Sequence, residues 1–194
     1  MKKKIKAVPE LFKFEHLMVD IETMGNVSYS SIISIGAVEF DIKTGRTGKE
    51  FYVTVDLQSC LDKGLIINAD TVIWWMGRDE NAKKEITEKK GLPVTEALEM
   101  FSEFCNDTYQ IWGNSARFDL GILQNAYNKI GKKIPWDFRK ERCVRTLVSF
   151  NPDIKKNYLF KGTAHNALHD CYYQIGYCSE IWNNLITCTP ITNF

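Results

Sequence analysis

Asp20 and Glu22 stand two residues apart at the end of an apolar run, HLMVDIE (16–22). Side chains at i and i+2 of a strand point to the same face, so a strand there sets both carboxylates side by side. Like charges so placed repel, and a divalent cation is their natural partner, because Mg²⁺ and Mn²⁺ prefer hard oxygen ligands. The plainer reading of the pair is a solvated strand end. A third acid, Asp119, lies in GNSARFDLGIL (113–123), where a strand gives way to a helix. Taken alone it reads as a helix-start acid favoured by the macrodipole, but it follows a polar loop, Gly113-Asn114-Ser115, of the kind that holds ligands at strand ends in open α/β sheets. A fourth, Asp170, closes HNALHD (165–170), with His165 five residues before it. An imidazole titrates near neutrality and could serve as a base beside metal-held carboxylates, or His165 could be a capping group. His169 reads as a packing or surface residue.

These residues need elements to position them. After the first strand come IISIGAVEFDI (32–42), a turn cluster KTGRTG (43–48) and EFYVTVD (50–56), predicting three antiparallel strands. The period then changes. Asp70 is placed to cap DTVIWWMGRD (70–79), and ENAKKEITEKK (80–90) predicts a polar helix ending before Gly91 and Pro93. Thr95 is placed to cap a helix with Leu98, Phe101, Phe104 and Cys105 at helical spacing. YQIWGN (109–114) returns to strand character, and Leu120, Leu123, Tyr127 and Ile130 then share a helical face. A short helix from Arg142 to Phe150, stopped at Asn151-Pro152, and a long one from about Asn166 to Leu185 complete the pattern. The expectation is one α/β domain on a mixed central sheet, antiparallel at the start and parallel thereafter, flanked by helices.

The 194 residues are 44% hydrophobic and 25% charged, the composition of an ordinary globular domain, which argues against disorder and repeat arrays. With 25 Lys and Arg against 24 Asp and Glu, the formal charge of +1 leaves no overall polycation to hold nucleic acid. Six cysteines show no C-x-x-C spacing and read as reduced core residues. The basic start, MKKKIKAVPELFKFEH, is interrupted by Pro9, Glu10 and Lys13 before any secretory apolar stretch, and no apolar run can span a bilayer, so no membrane and a cytoplasmic location are expected.

Together, DIET (20–23), NSARFD (114–119) and HNALHD (165–170), in that order, resemble the DEDD exonuclease superfamily of the ribonuclease H-like fold, in its histidine-bearing DEDDh (DnaQ-like) branch. DIETMGN and the Trp74-Trp75 pair are most similar to the phage exonuclease A and mycobacterial 3'-5' exoribonuclease types. The tyrosine-bearing branch would need a Tyr where this chain has Asn166. The resemblance implies an exonuclease domain at 16–187, between an extension (1–15) and a tail (188–194). It implies metal ligation by Asp20, Glu22, Asp119 and Asp170, with His165 as general base, all five being catalytic. Two divalent cations, Mg²⁺ or Mn²⁺, would supply charge neutralisation and an activated water for phosphodiester hydrolysis. The implied reaction is 3'-5' removal of nucleoside 5'-monophosphates from single-stranded or 3'-overhanging DNA or RNA. A homodimer is compatible with it, since free-standing relatives often pair. Alternatives on the same fold are a ribonuclease H-like endonuclease and a non-catalytic nucleic-acid-binding module.

The resemblance also places Thr23 and Met24 where the family packs the terminal nucleotide, although ordinary loop packing is the plainer reading. Phe118 and a member of the Trp74-Trp75 pair, with Trp75 the candidate, could stack on bases, worth about 1–3 kcal/mol each. At least one tryptophan should be core. Asn114 and Arg117 could touch phosphate or substrate oxygens, although a loop Asn equally satisfies its own backbone. Residues 129–161 carry a net +7, the rest a net −6. That stretch either guides the strand or is a solvated face, and Arg145, among apolar neighbours in CVRTL, is its candidate substrate contact.

Overall fold

In the computed structural model, which describes residues 13–87, 90–107 and 109–187, the chain forms one α/β unit. Strands β1 (His16–Thr23), β2 (Ile32–Phe40) and β3 (Thr47–Thr54) make an antiparallel meander. Helices α1 (Leu57–Asp62), α2 (Ala69–Met76), α3 (Glu80–Thr87) and α4 (Val94–Phe104) follow. Strand β4 (Gln110–Gly113) then pairs parallel to β1 and leads into α5 (Asp119–Lys129). Strand β5 (Glu141–Cys143) pairs parallel to β4 and runs straight into α6 (Val144–Ser149), followed by α7 (Pro152–Asn157) and α8 (Ala167–Thr187). The sheet order is β3-β2-β1-β4-β5, the expected mixed sheet.

The period of β1 decides what each face does. Leu17, Val19 and Ile21 enter one core with Leu98 and Phe101 of α4 and Leu123 and Tyr127 of α5. Met18 enters the other, with Cys171, Ile175 and Cys178 of α8. Asp20 and Glu22 share the parity of Met18, so they belong to the α8 side. Gly36, paired with Asp20 across the β1–β2 ladder, lets α8 come in close: a Cβ there would lie 2.5 Å from the Ala167 carbonyl carbon.

Several local expectations need correction. Asn68, not Asp70, caps α2, accepting the N–H groups of Asp70 and Thr71. Thr95 caps nothing. Helix α4 starts at Val94, whose N–H is taken by the Ser59 hydroxyl of α1. Residues 141–143 are strand, because β4 offers them a free parallel edge, so the helix expected from Arg142 begins only at Val144. Pro152 opens a helix, its missing N–H costing nothing in a first turn. Most of the expected extension, all of the tail, and residues 88 and 89 lie outside the described residues. The five described cysteines are free, all but Cys143 buried. No helix among the described residues is long and apolar enough to cross a membrane.

Candidate active site

The site forms where the C-terminal end of β1 meets the N-terminal turns of α5 and α8. Carboxylate oxygens of Asp20, Glu22 and Asp170 come within 4.8 Å of one another. Asp20 is buried, and the Gln174 side-chain amide donates to its Oδ1 at 2.7 Å. Asp119 arrives from the other side of the sheet. Strand β4 stops at Gly113, opposite Val19, and the Asp119 carboxylate takes up backbone donors beyond that stop: the Ser115 N–H at 2.9 Å and the Ile21 N–H of β1. Gly113 has no side chain for the same reason, since a Cβ there would lie 3.0 Å from Asp119 Oδ2. All four acids and His165 line one cleft of about 310 Å³.

Burial raises the carboxyl pKa values, because water no longer solvates the charged forms. Asp20 is pushed well above the usual range by burial and then by the charges of Asp119, Glu22 and Asp170, with the Gln174 hydrogen bond opposing. Asp119 rises to about 7 through burial, against the backbone donors and Arg145. Asp170 rises to about 6, again through burial, against the His165 N–H and the charge of His169. Converging hard-oxygen donors that cannot all ionise together fit a multivalent cation. Asn114 Oδ1, Gln174 Oε1 and the Tyr177 hydroxyl, polar atoms of the same cleft, are buried with no hydrogen bond among the described residues.

His165 sits in the turn before α8 with φ +62°, the single non-glycine residue at positive φ among those described. Besides the His165 N–H donated to the Asp170 carboxylate, two side-chain contacts hold that turn. Asn166 Oδ1 accepts the His169 N–H at 3.1 Å, capping α8, and His169 Nδ1 accepts the Thr163 N–H at 3.0 Å. His169 is therefore a brace for the loop that carries His165. The His165 ring stands edge-on to Trp74, with centroids 4.9 Å apart, and to Trp75 at 5.9 Å. Burial, then the Arg78 cation, lowers its pKa, with Asp79 opposing, which favours the neutral imidazole a base requires.

Of the other residues singled out from sequence, Asn114, Phe118 and Arg145 line the cleft. Arg145 is exposed rather than enclosed by its apolar neighbours. Phe118, Ser115 and Arg145 continue into an adjoining cavity of about 500 Å³, which Tyr29 and Arg117 also line. Thr23, Met24 and Trp75 lie behind the wall. The Thr23 hydroxyl donates to the Gly25 carbonyl at 2.6 Å, Met24 is buried against Ile33, and the Trp75 indole donates to the Thr23 carbonyl at 3.0 Å. Trp74 is the exposed member of its pair, with the Arg78 guanidinium 4.4 Å from its ring centroid. Sequence reading missed Tyr173, Gln174 and Tyr177, although their spacing from Asp170 puts them on its face of α8. It also missed Lys155 as a member of the cleft, for which no spacing signal exists.

The family model described as the 3'-5' exoribonuclease Rv2179c-like domain matches residues 15–182. No curated protein matches the chain in sequence. Among solved structures, the exonuclease I of E. coli in its complex with single-stranded DNA superposes with a TM-score of 0.63 at 15% identity, covering 89% of this chain and 42% of that one. Exonuclease X in complex with 5' overhanging duplex DNA gives 0.55 at 15% identity, covering 87% and 91%. Cell-death related nuclease 4 gives 0.51 at 14%, covering 88% and 64%. The chain thus spans less than half the length of exonuclease I, and at these identities the likeness establishes the fold.

Proposed function

The chain belongs to the Rv2179c-like 3'-5' exoribonuclease domain family, and on that premise we propose that it is a metal-dependent 3'-5' exonuclease releasing nucleoside 5'-monophosphates from single-stranded or 3'-overhanging nucleic acid. The observation that carries this is the convergence of Asp20, Glu22 and Asp170 within 4.8 Å, in a cleft shared with Asp119 and His165. We assign the catalytic unit to residues 16–187, its metal ligands to the four acids, and its cations to two Mg²⁺ or Mn²⁺. Bound divalent cations supply charge neutralisation at the phosphate and a nucleophile from water at neutral pH.

The chain's own groups do the rest. His165 accepts the proton of the attacking water, its lowered pKa keeping it neutral beforehand. Gln174 holds Asp20 in one orientation. Asn114, Phe118 and Arg145 contact the terminal nucleotide and its phosphate, while Thr23, Met24 and Trp75 support the wall behind it. The strand upstream enters the adjoining cavity between Tyr29 and Arg117. RNA is the substrate named by the family description, and matched RNA and DNA oligonucleotides separate the two. A cytoplasmic location and a homodimer belong to the same proposal.

The test is digestion of a 5'-labelled strand with Mg²⁺ or Mn²⁺. Wild-type protein should shorten it stepwise from the 3' end, Asp20→Ala and Asp119→Ala should abolish the ladder, and His165→Ala should slow it about a hundredfold while metal affinity persists. Early internal fragments would identify an endonuclease of the ribonuclease H kind. Strand binding with no release by wild-type protein would identify a non-catalytic module.

A further inference from the structure

The active-site cleft has a part that none of the three sequence motifs supplies. Helix α7 places Lys155 on the same lining as the four acids, beside Tyr173, Gln174 and Tyr177 of α8. Its origin is fixed. The Lys155 carbonyl accepts the Tyr158 N–H at 3.2 Å and the Tyr173 hydroxyl at 3.5 Å. The Tyr158 hydroxyl is seated where a Cβ on Gly176 would lie only 2.0 Å away, so the end of α7 is pinned against α8.

The ammonium is disposed differently from a charge-neutralising lysine. Lys155 is half-buried, yet it makes no ion pair among the described residues. Its Nζ lies 5.4 Å from the centroid of the Tyr177 ring. A lysine serving to offset the acids would close on a carboxylate, since a charge-assisted hydrogen bond is stronger than the pull of a ring face. Held at the ring, it keeps its N–H donors for an acceptor from outside the chain. In a cleft whose other side chains include four carboxylates, that acceptor is an anion arriving with its own counter-charge.

We propose that Lys155 binds a non-bridging phosphate oxygen of the terminal nucleotide, from α7, as Arg145 does from α6. The proposal rests on the exonuclease reading, which provides the phosphate. Binding of a nucleoside 5'-monophosphate, and separately of the matching nucleoside, is measured by calorimetry with Mg²⁺ for wild-type protein, Lys155→Met and Lys155→Arg. Loss of the charge should weaken the monophosphate about tenfold, and leave the nucleoside and Mg²⁺ alone unaffected. Lys155→Arg should keep monophosphate affinity within about threefold. An unchanged monophosphate affinity in Lys155→Met, or an equal loss for the nucleoside, overturns the assignment. If wild-type protein shortens oligonucleotides while Lys155→Met binds the monophosphate normally, only the role of Lys155 falls. If wild-type protein neither binds the monophosphate nor shortens a strand, the exonuclease reading falls and this proposal with it.

Discussion

Asp20 carries the site's central tension: it is buried and faces three other acids, with Gln174 offering it a hydrogen bond. The elevated pKa values of Asp119, about 7, and Asp170, about 6, have a sign that can be tested. Without metal the folded state binds more protons than the unfolded chain between the ordinary carboxylate pKa of 3.8 and these values, so stability falls as pH rises through that window. Divalent cations should reverse the loss. The gain in thermal midpoint on adding Mg²⁺ to chelator-treated protein should be larger at about pH 8 than at about pH 5. Equal gains would count against metal binding by these carboxylates. The acids and His165 were legible because DIET, NSARFD and HNALHD, in that order, resemble the DEDDh motifs, whereas spacing alone left each fragment a plainer reading. Lys155 and Trp74 were not, because only tertiary packing decides that one faces the cleft and the other stands beside His165.

The strands and longer helices follow from pattern, since β1 is a short apolar run buried on both faces and α5 and α8 are long enough to show their helical character. What sequence hid were elements held by neighbours: β5, three residues long, exists by pairing with β4, and α4 borrows its first-turn acceptor from Ser59. The six-residue α1 and α7 are too short to announce a period. Gly36 is the clearest case of an element placed by an absent atom. Gly36→Ala should cost about 1–3 kcal/mol by forcing α8 away from β2, whereas Ser59→Ala should cost about 1 kcal/mol by losing a cap. Denaturant titrations measure both. Activity at a temperature where both variants remain folded should fall only for Gly36→Ala, because that glycine faces the turn of α8 just before Asp170.

Over the whole molecule, the near-neutral charge resolves into groups with different uses. Within the basic 129–161 stretch, Lys132 pairs with Glu99, Lys140 donates to the Asp107 carbonyl, and Arg142 donates to the carbonyls of Arg139 and Glu141. Arg145 and Lys155 of that stretch reach the cleft, and Arg117 lines the adjoining cavity. Single-strand affinity should therefore depend only weakly on salt, with a log–log slope of about −2 for three neutralised phosphates at about −0.7 each. A slope near −5 would mean that the whole stretch tracks the strand. The site also joins distant parts of the chain: Cys171 of α8 lies against the Met18 and Gly36 carbonyls, and Asp170 meets Asp20 and Glu22. During synthesis, a chain that has emerged only through α7 holds three of the four acids and neither His165 nor Asp170. The cluster of acids therefore exists only once α8 has been made and has docked on β1 and β2, so the order of synthesis leaves the cleft incomplete until after every other element lining it has been made.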